Sequence, residues 1–194
     1  MIKRNLLTLA GVAAAVGLVL SVTALVLLLR SGEPGGTAAI GGPFALVDQD
    51  GHPATQAMLN GEPTLVFFGY THCPDVCPTT LNDMSSMFAA LGQDKKARGL
   101  FITVDPERDT PAVLKDYLSS FDPRIRALTG SPEAVAAVEK AYKVYAKKVP
   151  AKDGDYSMDH TAVVYLMDKQ GRFVNAFNLE QPPAKAAADL VAYL

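Results

Sequence analysis

Three unbroken apolar runs constrain this chain more than any other feature: Thr64–Phe68 (TLVFF), Leu100–Val104 (LFITV) and Thr161–Met167 (TAVVYLM). A strand with one face in water alternates apolar and polar residues, so a run without alternation reads as a strand buried on both faces. Such strands need helices on either side, and the intervening segments have the pattern for them. Leu81, Met84, Phe88 and Leu91 recur at helical spacing within 79–91. Pro111 opens a second helix to about Phe121, and Ser131-Pro132 opens a third, with Ser131 as N-cap, to about Tyr145. Phe44–Val47 reads as a short strand closed by a turn at 48–51. Asp168-Lys169-Gln170-Gly171 folds the third run back into a hairpin partner at 172–178, and 182–194 closes the chain as an amphipathic helix. The implied class is α/β, with a mixed central sheet flanked by helices. Hydrophobic residues make up 49% of the 194 positions, enough for a packed core.

Residues 5–29 carry no charged side chain. A bilayer core takes ~20 apolar residues, whereas the apolar region of a signal peptide runs only about 7–15. The expectation is therefore an uncleaved transmembrane anchor over 5–29. Lys3 and Arg4 then put 1–4 in the cytoplasm and everything after Arg30 outside. Residues 30–43, rich in Gly and Pro, are expected as a flexible linker, and 44–194 as the folded domain. With Lys3, Arg4, Arg30 and Glu33 set aside, 15 basic and 19 acidic side chains remain, a charge of −4. A mildly acidic domain does not suit nucleic acid, which needs a basic face. Two cysteines exclude both a disulfide-dense scaffold and a four-thiolate site.

The chemistry concentrates in Cys73-Pro74-Asp75-Val76-Cys77, just beyond the first apolar run, where open α/β sheets collect ligands. If Cys77 lies in a first helical turn, both sulfurs share one face, and the helix N-terminus favours thiolate. Two low-pKa thiolates in an exposed turn can bind a soft metal or exchange disulfides. The plainer alternatives are buried structural cysteines or a stapling disulfide. A loop framed by Pro74, Pro78, Asp75 and His72 is not apolar core, and a bridge over so short a loop stabilises little.

A third ligand separates metal binding from pure redox chemistry. His72 adjoins Cys73, but neighbouring side chains in an extended loop point apart, and His52 follows a turn and is expected in solvent. His160 ends Asp155-Tyr156-Ser157-Met158-Asp159-His160, read as a loop before the third apolar run. It faces the two sulfurs if that run lies beside TLVFF. Spacing alone leaves His160 open between a ligand and a satisfied surface group. Two thiolates and one imidazole are too few for structural zinc but suit Cu(I), which accepts low coordination; Cu(II) needs further ligands. Met84, Met87 and Met158 are assigned to packing. Asp105-Pro106-Glu107-Arg108-Asp109-Thr110-Pro111 reads as a solvated strand-end turn with Arg108 paired internally. Lys140, Lys143, Lys147 and Lys148 read as a solvated face, mostly along a helix.

GYTHCPDVCPTTL (69–81), VDPERDTP (104–111) and DYSMDHTAVVYLMD (155–168) together resemble the three signature blocks of the Sco/SenC family, membrane-tethered copper proteins of cytochrome c oxidase assembly. The resemblance covers essentially the whole domain, and the expected anchor agrees with it. It implies a thioredoxin-like fold and copper, as Cu(I) or Cu(II), held by Cys73, Cys77 and His160. It also implies delivery toward the CuA centre of cytochrome c oxidase subunit II, with a periplasmic copper donor upstream. The matching location is the bacterial inner membrane, single-pass, with the C-terminal domain in the periplasm. Because only thiolate ligates, a redox-active Cys73–Cys77 disulfide would gate loading. The competing function is a thiol–disulfide oxidoreductase that keeps the cysteines of that copper centre reduced. Enzymes of that kind usually carry CxxC and a facing cis-proline; here an extra residue separates the thiols and His160-Thr161 stands at the strand entrance.

Overall fold

The computed structural model describes Ser21, Thr23, 40–151 and 154–194. In chain order the strands are β1 (Ala45–Asp48), β2 (Pro53–Thr55), β3 (Thr64–Gly69), β4 (Arg98–Thr103), β5 (Ile125–Thr129), β6 (Ala146–Pro150), β7 (Tyr156–His160), β8 (Val164–Met167) and β9 (Phe173–Ala176). The helices are α1 (Val76–Leu91), α2 (Pro111–Leu118), α3 (Pro132–Tyr142) and α4 (Pro183–Val191). Seven strands form one mixed sheet in the order β2-β1-β5-β4-β3-β8-β9, and β6 and β7 form a separate two-stranded hairpin. β3, β4 and β5 run parallel, while β1 and β8 join antiparallel on either side. Apart from Ser21 and Thr23, the expected anchor over 5–29 and the linker up to residue 39 lie outside the described residues. Among the described residues, no helix is long and apolar enough to cross a membrane.

The apolar runs became central strands for the expected reason, except that the third is strand only over Val164–Met167, with Ala162 and Val163 exposed ahead of it. Every residue of β3 is buried, as are all four of β8. On one face Gly99 meets Met84 of α1, and Phe101 meets Tyr117 of α2. On the other face Phe68 packs on Tyr142 of α3 and on Tyr165 of β8. Met84 and Met87 are fully buried, in packing roles. α2 and α3 begin as read, with Thr110 and Ser131 accepting from the amides of Val113 and Ala134 and a proline in the first turn.

The structure departs from the sequence reading at several points. β5 (IRALT) was not anticipated, although it stands beside β4 in the middle of the sheet. Arg126 breaks its apolar run and pairs with Asp48 and Asp50 at the sheet margin. α3 ends at Tyr142 because Lys143 adopts a left-handed conformation (φ 58°), and the chain turns into β6. Of the four lysines read as a helix face, only Lys140 is helical; Lys147 and Lys148 lie on β6. Asp155–His160, read as a loop, is largely strand β7, whose half-buried Tyr156, Met158 and His160 alternate with exposed Ser157 and Asp159. The 105–111 turn is solvated only in part: Glu107 and Thr110 are exposed but Asp105 and Asp109 are wholly buried, and Arg108 does pair internally, with Asp105.

Candidate metal centre

β3 ends at Gly69, and the next residues turn sharply, with the Cys73 amide donating to the Tyr70 carbonyl at 3.2 Å. α1 then starts at Val76, which puts Cys77 in its first turn and Cys73 just ahead of it. Asp75, the N-cap, makes no side-chain cap. The Cys77 amide donates instead to Cys73 Sγ at 3.4 Å, so a sulfur takes an acceptor's place at the helix N-terminus. Across the sheet, β8 pairs with β3, Phe67 opposite Val164. That pairing brings the residue four positions before Val164, His160, to the same end.

The three side chains converge. His160 Nε2 lies 3.7 Å from Cys77 Sγ, and one donor atom each from Cys73, Cys77 and His160 lie within 4.8 Å of one another. Donors held about 2.0–2.3 Å from a shared ion stand roughly 3.5–4 Å apart, so this set fits a metal with little adjustment. His160 Nδ1 lies 3.1 Å from the Thr161 carbonyl oxygen, which can only accept. The proton therefore sits on Nδ1 and the Nε2 lone pair faces the sulfurs, the usual arrangement for a metal-binding histidine. The Tyr70 ring meets the imidazole edge-on at 5.7 Å. His72 bonds Thr71 instead, and His52 is exposed, as read from the sequence.

The sequence led to the expectation of exposed, low-pKa thiolates; neither thiol is exposed, and Cys77 is shifted the opposite way. Cys73 is 8% exposed and Cys77 is fully buried, both as free thiols. Burial pushes the Cys77 thiol well up; the Tyr70 backbone N–H pulls it partly back, while Cys73 and Asp109 add to the rise. Desolvation outweighs the helix N-terminus. A metal entering here must displace a proton, which two thiolates closing on one cation compensate.

Residues outside the motif shape this centre. A Cβ on Gly69 would stand 2.7 Å from Cys77 Sγ and 2.7 Å from Phe101 Cε2, so only glycine leaves the sulfur its seat. Buried Asp109 accepts from the Thr71 amide (3.1 Å) and from the Thr71 and Thr103 hydroxyls (2.6 Å each), tying the turn before Cys73 to the end of β4. Gly69 adjoining the cysteine segment, and two aspartates four apart after an apolar run, were the available signals. A second cluster, Asp48, Asp50 and His52, comes together only to close a turn. Asp48 Oδ1 accepts the amides of Asp50 and His52, and Arg126 and Lys115 satisfy the carboxylates.

A family model described as SCO1/SenC matches residues 32–194. Copper-bound ScoI of Bradyrhizobium japonicum is 61% identical and superposes with a TM-score of 0.78, over 80% of this chain and 100% of that one. Copper-bound yeast Sco1 is 38% identical with a TM-score of 0.74, over 80% of this chain and 88% of that one. The mitochondrial SCO1 homolog 1 of Arabidopsis thaliana is 41% identical over 154 residues, 77% of this chain but only 45% of that protein's length. The mixed α/β architecture is thus the thioredoxin-like Sco fold. A match this broad, carried by both sequence and superposition, makes the chain a member of the SCO1/SenC family.

Proposed function

We propose that this protein binds copper between Cys73, Cys77 and His160 and passes it to the CuA centre of cytochrome c oxidase subunit II during assembly. In this reading residues 5–29 anchor it in the bacterial inner membrane, 30–43 form the tether, and 44–194 work in the periplasm, loaded by a donor there. The observation that carries the reading is the donor set itself: two sulfurs and one imidazole nitrogen within 4.8 Å, in a chain similar to ScoI and Sco1 proteins solved with copper bound. Thiolates and an imidazole at low coordination suit Cu(I). Three protein donors leave the ion open to a ligand from an incoming partner, so release proceeds by ligand exchange. Copper is cargo here, and a Cys73–Cys77 disulfide would remove two of its three ligands, making loading redox-gated.

Copper retention by the 194-residue chain tests this. With reductant, about one Cu(I) per chain is expected after washing with a weak chelator; after oxidation of the thiols, almost none. Near-stoichiometric copper in the Cys73→Ala/Cys77→Ala double variant would overturn the assignment. Transfer is read by mixing the loaded protein with the copper-free subunit II domain and following the CuA absorbance. The oxidoreductase reading draws less support, because dithiol exchange has no need of the third metal donor, His160 Nε2, that faces Cys77 Sγ at 3.7 Å. Fast disulfide-reductase turnover, indifferent to His160→Ala, would favour it.

A further inference from the structure

His160 is delivered by a hairpin whose apolar hold on the core is slight, the partly buried Ala146 and Met158. None of the ten residues of β6 and β7 is fully buried. A lone two-stranded hairpin is marginal in water, so the orientation of His160 depends on whatever docks this one.

The docking is polar and centres on Arg108. Its Nε donates to Asp105, whose carboxylate is wholly buried at the end of β4. Its Nη1 reaches the hairpin, donating to Asp155 Oδ1 at 3.0 Å and to the Tyr156 carbonyl at 3.1 Å. The guanidinium lies 3.7 Å from the centroid of the Tyr156 ring, and its Nη2 is buried without a hydrogen-bond partner. The Tyr156 hydroxyl returns to the other oxygen of Asp105 at 2.8 Å, closing a ring of contacts between body and hairpin. Lys148 adds a more exposed pair with Glu107. A buried carboxylate and a mostly buried guanidinium form a strong, directional tie, unlike an exposed pair.

We propose that Arg108, with Asp105 and Tyr156, is the positioning clamp that holds the hairpin down and so keeps His160 Nε2 on the two sulfurs. The proposal rests on His160 being a copper ligand, as argued above. None of the three clamp residues touches the metal position; they act through the strand that carries the imidazole.

The test is a double-mutant cycle on the 194-residue chain with Cu(I) and a competing chromophoric chelator. Arg108→Gln is expected to weaken Cu(I) ~10–100-fold, the range for groups that orient a ligand. On a His160→Ala background the same substitution should cost almost nothing further. Arg108→Lys keeps a contact to Asp105 but loses the fork to the hairpin, so it should fall between. Hydrogen exchange supplies a metal-free readout: amides of 156–160 should exchange at least about tenfold faster in Arg108→Gln, with β3 and β4 unchanged. In the copper(II) form, imidazole nitrogen coupling should weaken with Arg108→Gln. If Arg108→Gln does not fold, Tyr156→Phe removes a single hydroxyl and must show the same pattern at smaller amplitude. Unchanged affinity, or an equal loss with and without His160, overturns the proposal and leaves the copper site standing. A His160→Ala variant that binds like the wild type sinks the ligand assignment, and the clamp with it.

Discussion

Cys77 Sγ and His160 Nε2 stand 3.7 Å apart although 83 residues separate them. The antiparallel pairing of β8 with β3 creates that proximity. Cys77 follows the carboxyl end of β3, and His160 precedes the start of β8 at the same sheet margin. The imidazole proton is committed to the Thr161 carbonyl, so the nitrogen facing the sulfur is the one with a free lone pair.

Replacing His160 by Ala should therefore weaken Cu(I) by ~100-fold or more, since changing a group that merely orients a ligand costs ~10–100-fold. Two thiolates remain, so some copper should stay bound. Isothermal competition against a Cu(I) chelator reads the change. Equal affinity in the variant would mean that the imidazole sits near the sulfurs for another reason.

Gly69→Ala tests the seat of Cys77. The added methyl would meet both the Cys77 sulfur and the Phe101 ring at 2.7 Å, and neither neighbour has room to retreat in a fully buried cluster. Overpacking of this kind costs about 1–3 kcal/mol, a melting-temperature drop of roughly 3–10 °C for a domain of this size. The displaced sulfur should also lower copper affinity. An unchanged melting temperature together with unchanged affinity would show that the strand end relaxes freely.

The sheet's heart was legible because Leu65, Val66, Phe67 and Phe68 leave no polar position for a solvent face. The cysteine pair was equally plain, since Pro74 and Pro78 mark a helix start. What escaped was set by partners far along the chain. Arg126 made β5 look polar, and only its pairing with Asp48 across the fold reveals why a strand tolerates it. Asp105 and Asp109 looked like solvent residues because the donors that satisfy them, the Thr71 amide and the hydroxyls of Thr71, Thr103 and Tyr156, lie remote from them or are individually unremarkable. His160 was read as the end of a loop and not of a strand, because the alternation Tyr-Ser-Met-Asp-His is short and only half-buried.

Asp109→Ala should be more harmful than Asp109→Asn. The wild-type carboxylate accepts one amide and two hydroxyls while fully buried, and Ala would leave the Thr71 amide and the Thr103 hydroxyl without that acceptor, the Thr71 hydroxyl keeping only His72. Each orphaned buried group costs about 1–3 kcal/mol. Asn keeps one oxygen for the Thr71 amide, and rotating hydroxyls can accept from its NH2 group. Urea unfolding of both variants gives the order, and Asn as damaging as Ala would mean that the charge, not the hydrogen bonding, matters.

Far from the metal position, Asp122 and Arg124 form an anchor whose contribution depends on pH. Asp122 takes three hydrogen bonds from Arg124, one from its amide and two from its guanidinium, at 2.8–2.9 Å. Arg124 also donates to the Gly92 carbonyl beyond the end of α1 and covers the Phe88 ring. Both side chains are mostly buried, at 12% and 18% exposure. Hydrogen bonding by Arg124 holds the Asp122 carboxyl below its ordinary value of 3.8, against the opposing effect of burial. The folded state thus resists protonation that the unfolded state accepts. The stabilisation is complete above about pH 4 and is lost as pH falls through the lowered folded value. Asp122→Asn should lower stability at pH 7 by about 1–3 kcal/mol, the range for a hydrogen bond to a charged group plus its orphaned partner. Acidification should then close the gap between variant and wild type. Asp48 also titrates low, because backbone amides and Arg126 outweigh its burial, but it acts equally in both proteins and drops out of the difference. Chemical unfolding of the pair at pH 7 and near pH 2.5 measures the gap, and a gap of constant size across that range would refute the ionic origin of the anchor.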